Sequence, residues 1–271
     1  MLKLNPIKSE KIWGYENWIA SVYPSSCHEE LVNECGSDYP LLIKVIQADD
    51  TLSVQVHPDD KAAFELEGEG FCGKTECWYV LESEPGSKLV SGLKPGFNKD
   101  YFKDDLEKAV KDNTLENYLN FVTVQKGDFI FIPSGTVHAI GGGLRLLEVQ
   151  QSCDLTYRLY DWGRPREVHI EKGLSVIKAE TPEPQKPFAG KFKCNYFSLE
   201  QKKVEDIFDF ECPEGNKSSD WKMIFVLEGN GSVKNAEDKK YDFSKEDLFA
   251  VKPGEKVSFC GKSLLMIISS F

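Results

Sequence analysis

The chain has 271 residues, enough for one large domain or two small ones, and 41% are hydrophobic, which supports a real core and excludes wholesale disorder. Asp and Glu number 44 against 33 Lys and Arg, a formal charge of -11. That balance argues against a nucleic-acid binder and against a general basic face for an anionic membrane. The longest apolar runs, such as Phe129–Ile132 and Leu264–Ile268, fall far short of the roughly 20 residues a membrane helix needs.

The opening stretch MLKLNPIKSEKIWGYENW carries no apolar segment of the signal-peptide kind, so a cytoplasmic location is expected. Eight cysteines occur, and the closest two, Cys72 and Cys77, do not form a CxxC pair. The paired spacing of a structural zinc site is missing, and reduced, mostly buried thiols are expected.

Short runs of Val, Ile, Phe, Tyr and Trp alternate with Gly, Pro, Asp and Asn turn signals, a β-rich pattern. In chain order, Trp13 and Trp18 are expected to pack a β-face. Leu41–Gln47 and Leu52–His57 read as strands. Pro58-Asp59-Asp60 then opens a helix, with Pro and acids where a helix N-terminus favours them. Cys77–Glu82 and Lys88–Leu93 read as strands. Between Lys99 and Phe121, Phe102, Leu106 and Val110 recur every four residues and Leu115, Tyr118 and Leu119 follow, which predicts two short amphipathic helices. This insertion serves either as a wall of a site or as support. Strands resume at Phe129–Pro133, Leu144–Gln150 and Thr156–Asp161, with Gly141-Gly142-Gly143 read as a turn. Such spacing suggests a sandwich or barrel.

Lys178–Lys191 holds three prolines among charges and reads as a stiff connector between domains. Beyond it short strands return, and they echo the first part. Trp78–Glu82 resembles Ile224–Glu228, and Gly127–Phe131 resembles Glu246–Ala250. The expected architecture is a duplicated β unit: residues 1–180 with a helical insertion near 99–121, and a smaller unit at 190–271. His138 falls on Val257 and Glu76 on Lys222, so the second copy lacks the ligand types of the first.

Only four histidines occur: His28, His57, His138 and His169. Side chains alternate along a strand, so Gln55 and His57 point to one face. His138 follows a strand and a Pro133–Gly135 turn, and Glu76 stands at the head of another strand. Two imidazoles and a carboxylate suit Zn²⁺ or another borderline divalent ion, and a Gln carbonyl is a weaker fourth ligand. His28 and His169 lie outside this pattern, and His169 is expected to cap or pack.

The stretch from Gly127 to His138 matches the second cupin motif, G-x5-P-x-G-x-x-H. The first cupin motif is represented by Gln55-x-His57, with Glu76 delayed by a helix-bearing insertion. With LSVQVHPDDKAA (52–63), GKTECWYVL (73–81), LEVQQSCDLTYRLYDWGR (147–164) and EVHIEKGLSVIK (167–178), the chain resembles the type I mannose-6-phosphate isomerases, in the short form of Gram-positive bacteria. The region from Tyr23 to Tyr39 is shorter than this likeness implies.

The resemblance implies a mainly β fold of two cupin-type (jelly-roll) barrels and one zinc ion per chain, with Gln55, His57, Glu76 and His138 as metal ligands. It also implies Arg158 as the active-site arginine, Lys74 as a site lysine, and Asp154 in proton transfer. The expected reaction interconverts mannose 6-phosphate and fructose 6-phosphate through a cis-enediolate. Lys74, Asp154 and Glu148 are all open as the base, and Glu148 alternatively supports a zinc-bound histidine. Lys74, Arg158 and Glu148 are expected to bind substrate, with Arg164, Lys94 and Arg145 as further phosphate-binding cations. A sugar phosphate is the expected small-molecule partner, nucleic acid and membrane are not, and the chain is expected as a monomer or homodimer. A non-catalytic metal- and sugar-binding cupin and a cupin oxygenase are the competing readings.

Overall fold

The structure, a computed structural model, describes residues 1–94, 102–178, 180 and 183–271. The expected helix start at Lys99 and the connector's Ala179, Thr181 and Pro182 lie outside the described residues. Among the described residues the fold is mainly β, with four sheets. The chain divides into two compact units, each assembled from separated segments: Met1–Ile7, Asn17–Ile43 and Ala189–Phe271 in one, Lys8–Glu16 and Lys44–Phe188 in the other. The division is not a single cut at the proline-bearing connector. Strand pairing groups the first residues with the last, since Leu2–Leu4 lies antiparallel to Leu248–Val251.

Two sheets run through the unit containing Lys44–Phe188. One orders its strands Ile7–Lys11, Gly14–Ala20, Leu41–Ala48, Leu144–Gln151, Glu76–Ser83, Phe129–Ile132. The other orders Tyr157–Tyr160, Val54–Val56, His138–Ile140, Lys88–Leu93, Leu119–Thr123. Alternation sorts their side chains. Ile46, Trp78, Val80, Ile130, Leu144 and Leu146 from the first meet Leu89 and Ile140 from the second in one buried core. The opposite face of the five-stranded sheet (Val54, Val56, Val90, Ala139, Tyr157, Leu159) is covered by Leu106, Ala109 and Val110 of the helix Phe102–Lys111 and by Leu174 and Val176.

The predicted strands all form, with ends shifted by a residue or two; Leu52–His57 contracts to Val54–Val56. The two helices expected between Lys99 and Phe121 become one α-helix, Phe102–Lys111, a 3₁₀ turn, Leu115–Tyr118, and a strand, Leu119–Thr123. The strand wins because Lys88–Leu93 offers it a free edge, and pairing satisfies its backbone. Two short helices, Glu29–Cys35 and Ile170–Val176, were not foreseen, and His28 and His169 are their N-cap residues.

The other unit has a six-stranded sheet and a four-stranded sheet whose facing residues, among them Ile224, Val226, Val233, Phe249, Phe259 and Leu265, form a single core. Its strands repeat the pairings of the first unit. Glu76 pairs with Ile132 and Gln150; 146 and 119 residues later, Lys222 pairs with Val251 and Ser269. Each long pairing also carries a register shift, near Arg145/Leu146 and near Val226/Glu228.

Candidate metal centre and active-site cavity

On several strands of the first core the inward row changes from apolar to polar along the strand. Leu144 and Leu146 are followed by Glu148 and Gln150; Val80 and Trp78 lead back to Glu76; Ala48 and Ile46 lead back to Lys44. Register brings these polar positions together: Glu148 lies opposite Trp78, Gln150 opposite Glu76, and Gln55 opposite both His138 and Arg158.

Turn geometry completes the placement. Gly135 has φ +89°, and a Cβ there would sit 2.9 Å from the Val176 carbonyl oxygen. Its N–H donates to the His57 carbonyl at 2.8 Å, which ties the turn before His138 to the first histidine. Gly73 packs so closely on Asp59 and Asp60 that a Cβ would come within 2.6 Å of the Asp60 nitrogen, and Lys74 N–H then reaches the Pro58 carbonyl.

His57, Glu76 and His138 are all buried, and one ligand atom from each lies within 4.8 Å of the others. His57 Nδ1 is 2.9 Å from the Leu155 carbonyl and His138 Nδ1 is 2.9 Å from the Thr136 carbonyl. A carbonyl only accepts, so each Nδ1 donates, and each Nε2 presents its lone pair to the cluster. His138 Nε2 is 3.3 Å from Glu76 Oε1, and His57 Nε2 is 3.7 Å from Glu76 Oε2. His57 Nε2 and Glu76 Oε1 have no hydrogen-bond partner among the described residues. Buried polar atoms without partners are costly, and two imidazole nitrogens with a carboxylate are the donor set of a divalent metal. The residues fit such an ion. Gln55 stands beside them with Nε2 3.3 Å from His138 Nε2; a half-turn of its amide brings Oε1 to that side.

Around this cluster opens a cavity of about 420 Å³, lined by Lys11, Trp13, Glu16, Lys44, Gln55, Lys74, Glu148, Asp154, Arg158 and Arg166 among others. Lys74 Nζ is 3.1 Å from Glu76 Oε2. Burial disfavours the Lys74 ammonium, but Glu76, Glu148 and Asp154 outweigh it and raise its pKa. A lysine held charged is a poor base. Glu148 accepts from Trp78 Nε1 at 2.8 Å and lies 3.4 Å from Lys44 Nζ. Burial first, and Glu76 second, push its carboxyl up from the ordinary glutamate value, against Lys44 and Lys74.

Arg158 donates from Nη1 to the Glu167 carbonyl at 2.7 Å. Its backbone is clasped by His169, whose Nδ1 accepts from Arg158 N–H and whose N–H donates to the Arg158 carbonyl. Asp154 is exposed on the cavity rim. The other expected phosphate cations are not brought here: Arg164 is held by Thr51 and Asp161, Lys94 by Asn117, and Arg145 by Tyr15 and Gln47. Sequence reasoning passed over Lys11, Glu16, Lys44 and Arg166. The signal for Lys44 was a single lysine amid the apolar strand Leu41–Ala48. The insertion Phe102–Tyr118 supports the far face of the sheet and contributes nothing to the cavity lining among the described residues.

Burial keeps both cluster histidines neutral; it lowers His138 to about 4 and His57 well below the ordinary histidine value, with Lys74 adding to both shifts. Between pH 6.5 and 4 the unfolded chain takes up protons that folded His138 refuses. Metal-free protein is therefore expected to be fully stabilised by this group above pH 6.5 and to lose about 3 kcal/mol from it as pH falls to 4. Urea melts in chelator at pH 7 and pH 5 check this; equal stabilities would sink it.

Fold and site together define a mainly β protein of the cupin type with a buried His–Glu–His candidate metal centre. Residues 7–70 match the family model for the catalytic domain of type I phosphomannose isomerase. The chain is 33% identical over 237 residues to mannose-6-phosphate isomerase ManA of Bacillus subtilis, covering 81% of this chain and 71% of that one. It is 43% identical over 162 residues to the mannose-6-phosphate isomerase of Streptococcus mutans, a match spanning 57% of this chain but only 49% of that relative's length. The crystal structure of the B. subtilis mannose 6-phosphate isomerase superposes with a TM-score of 0.82 at 26% identity over 98% of both chains. This chain belongs to the mannose-6-phosphate isomerase family. Among the described residues no helix is long and apolar enough to cross a membrane.

Proposed function

We propose that the chain is a zinc-dependent isomerase that interconverts mannose 6-phosphate and fructose 6-phosphate through a cis-enediolate. The observation that carries this reading is the buried His57–Glu76–His138 cluster, with His57 Nε2 and Glu76 Oε1 left without hydrogen-bond partners, beside a cationic cavity in a chain of this family. His57, Glu76, His138 and, with its amide turned, Gln55 would hold one zinc ion, whose chemistry would be to polarise the sugar carbonyl.

The chain's own residues divide the remaining work. Arg158 offers a planar cation to the charge that develops on the sugar oxygens, or to the phosphate. Lys11 is also on the wall, as is Arg166, whose guanidinium is already paired with Asp161 at 2.6 and 2.7 Å. Lys74 is held charged and suits electrostatic support. Proton transfer between C1 and C2 falls to a carboxylate, Glu148 or Asp154. Glu148 is fixed by Trp78 with its pKa raised, which suits an acid–base role. The unit containing Ala189–Phe271 is read as a copy without the centre, since Lys222, Ile267 and Val257 stand where Glu76, Glu148 and His138 stand. A cytoplasmic monomer or homodimer completes the proposal.

A coupled assay on mannose 6-phosphate tests it. Turnover is expected to vanish with chelator and return with zinc. Loss of the base is expected to lower kcat by about 10²–10⁴ in either E148Q or D154N but not both, and R158A to lower it by about 10²–10³. Tight binding of metal and sugar phosphate without turnover would overturn the isomerase reading in favour of a non-catalytic binding module.

A further inference from the structure

Two cysteines outside the catalytic set lie together beside this site. The strand pair that carries Glu76 and Gln150 runs on past its last ladder bond: Gln151 N–H donates to the Thr75 carbonyl at 3.1 Å, and Thr75 N–H donates to Gln151 Oε1 at 2.9 Å. Just beyond, Cys153 Sγ lies 3.0 Å from the Cys72 carbonyl oxygen, and the Cys72 thiol donates to the Ser152 carbonyl at 3.7 Å. Each sulfur thus lies against the other cysteine's backbone: Cys153 Sγ on the Cys72 carbonyl, and Cys72 Sγ on the carbonyl that precedes Cys153. Cys153 is buried and Cys72 is half-buried, so the pair is reached from the Cys72 side.

We infer that Cys72 and Cys153 form an oxidisable dithiol whose closure to a disulfide changes the activity of the adjoining site. The inference rests on the isomerase reading for its functional part only. Cys72 stands two residues before Lys74. Cys153 stands beside Asp154 and two residues before Leu155, whose carbonyl orients His57. A covalent bond sets the sulfur–sulfur separation at about 2.05 Å. Closing it pulls on both loops, and with them on Lys74, Asp154 and the Leu155 carbonyl.

Cys153 is the attacking sulfur. The neighbouring Cys72 lowers its pKa against the effect of burial, and Leu155 N–H donates to it at 3.4 Å. With a hydroperoxide as oxidant, the Cys153 thiolate takes one peroxide oxygen, the O–O bond breaks, and the leaving hydroxide takes up a proton as water. The sulfur of Cys72 then attacks the sulfenic acid, the S–O bond breaks, and the hydroxyl leaves with the Cys72 proton as a second water. Both sulfurs are oxidised, and the peroxide is the species reduced.

The test treats zinc-loaded protein with hydrogen peroxide and reads intact mass, a peptide map and turnover. The expected result is a loss of two hydrogens, one joined peptide pair carrying Cys72 and Cys153, and activity lowered by roughly 10²-fold, the order a misplacement of about 1 Å costs. A thiol reductant is expected to restore it. Reduced C72S is expected to turn over normally and to give no joined pair. Oxidation at Cys27, Cys194 or Cys260 without a Cys72–Cys153 link would overturn the inference, as would a complete link with unaltered turnover. The link is read by mass, so it stands or falls even if the reduced protein has no isomerase activity.

Discussion

His57→Ala protein is expected to purify without stoichiometric metal and to lose turnover by about 10³-fold or more, the several kcal/mol that a Lewis acid contributes. The imidazole is held at one nitrogen by the Leu155 carbonyl and aims the other at Glu76. Losing only such an outer hydrogen bond costs about 10–100-fold in metal affinity, so losing the ligand is expected to exceed ~100-fold. His28 provides the control. It is equally buried, but it serves Ser21 and Asn5 and takes no part in the cluster, so H28Q is expected to keep its metal. Metal analysis decides the matter: full zinc occupancy in H57A would remove His57 from the ligand set.

Lys44→Met is expected to cost about 3–5 kcal/mol of stability, because it strips a buried carboxylate of its cation. Lys44 is 2% exposed, 3.4 Å from Glu148 Oε1 and 3.8 Å from Glu16 Oε2. Glu16 keeps Lys11 at 3.5 Å, whereas Glu148 is left facing the charge of Glu76 with only Lys74 to offset it. The K44M/E148Q double variant removes both charges and is expected to regain most of the loss. Denaturant midpoints at constant m-value give the coupling energy. Strict additivity of the two substitutions, within about 0.5 kcal/mol, would show that the pair does not interact.

The strands that carry Gln55 and His138, the first leading into His57, were legible because their signals are local. Alternation puts Gln55 and His57 on one face, and Gly127, Pro133 and Gly135 encode the turn that delivers His138. The short helices Glu29–Cys35 and Ile170–Val176 were not legible. Each has seven residues, too few for a helical period to stand out, and neither N-cap residue makes a side-chain capping bond. The stretch Leu115–Phe121 carried a helical spacing of apolar residues, yet its second part pairs as an edge strand, where tertiary hydrogen bonding overrides local preference.

By itself, then, the sequence determined the β character of the chain, the residue types of the candidate metal centre and the absence of those types at positions 222 and 257. All of these are written in neighbouring residues and in a fixed offset. What the tertiary structure decided is which charges share a cavity. Lys11, Lys44 and Arg166 come from separate segments and meet only when sheet order and strand register are set. Arg164 and Arg145, equally plausible as isolated cations, find other partners. The pairing of Cys72 with Cys153 is of the same kind: 81 positions apart, they are placed by the antiparallel register of Glu76 with Gln150, a long-range hydrogen-bond pattern that no local window contains.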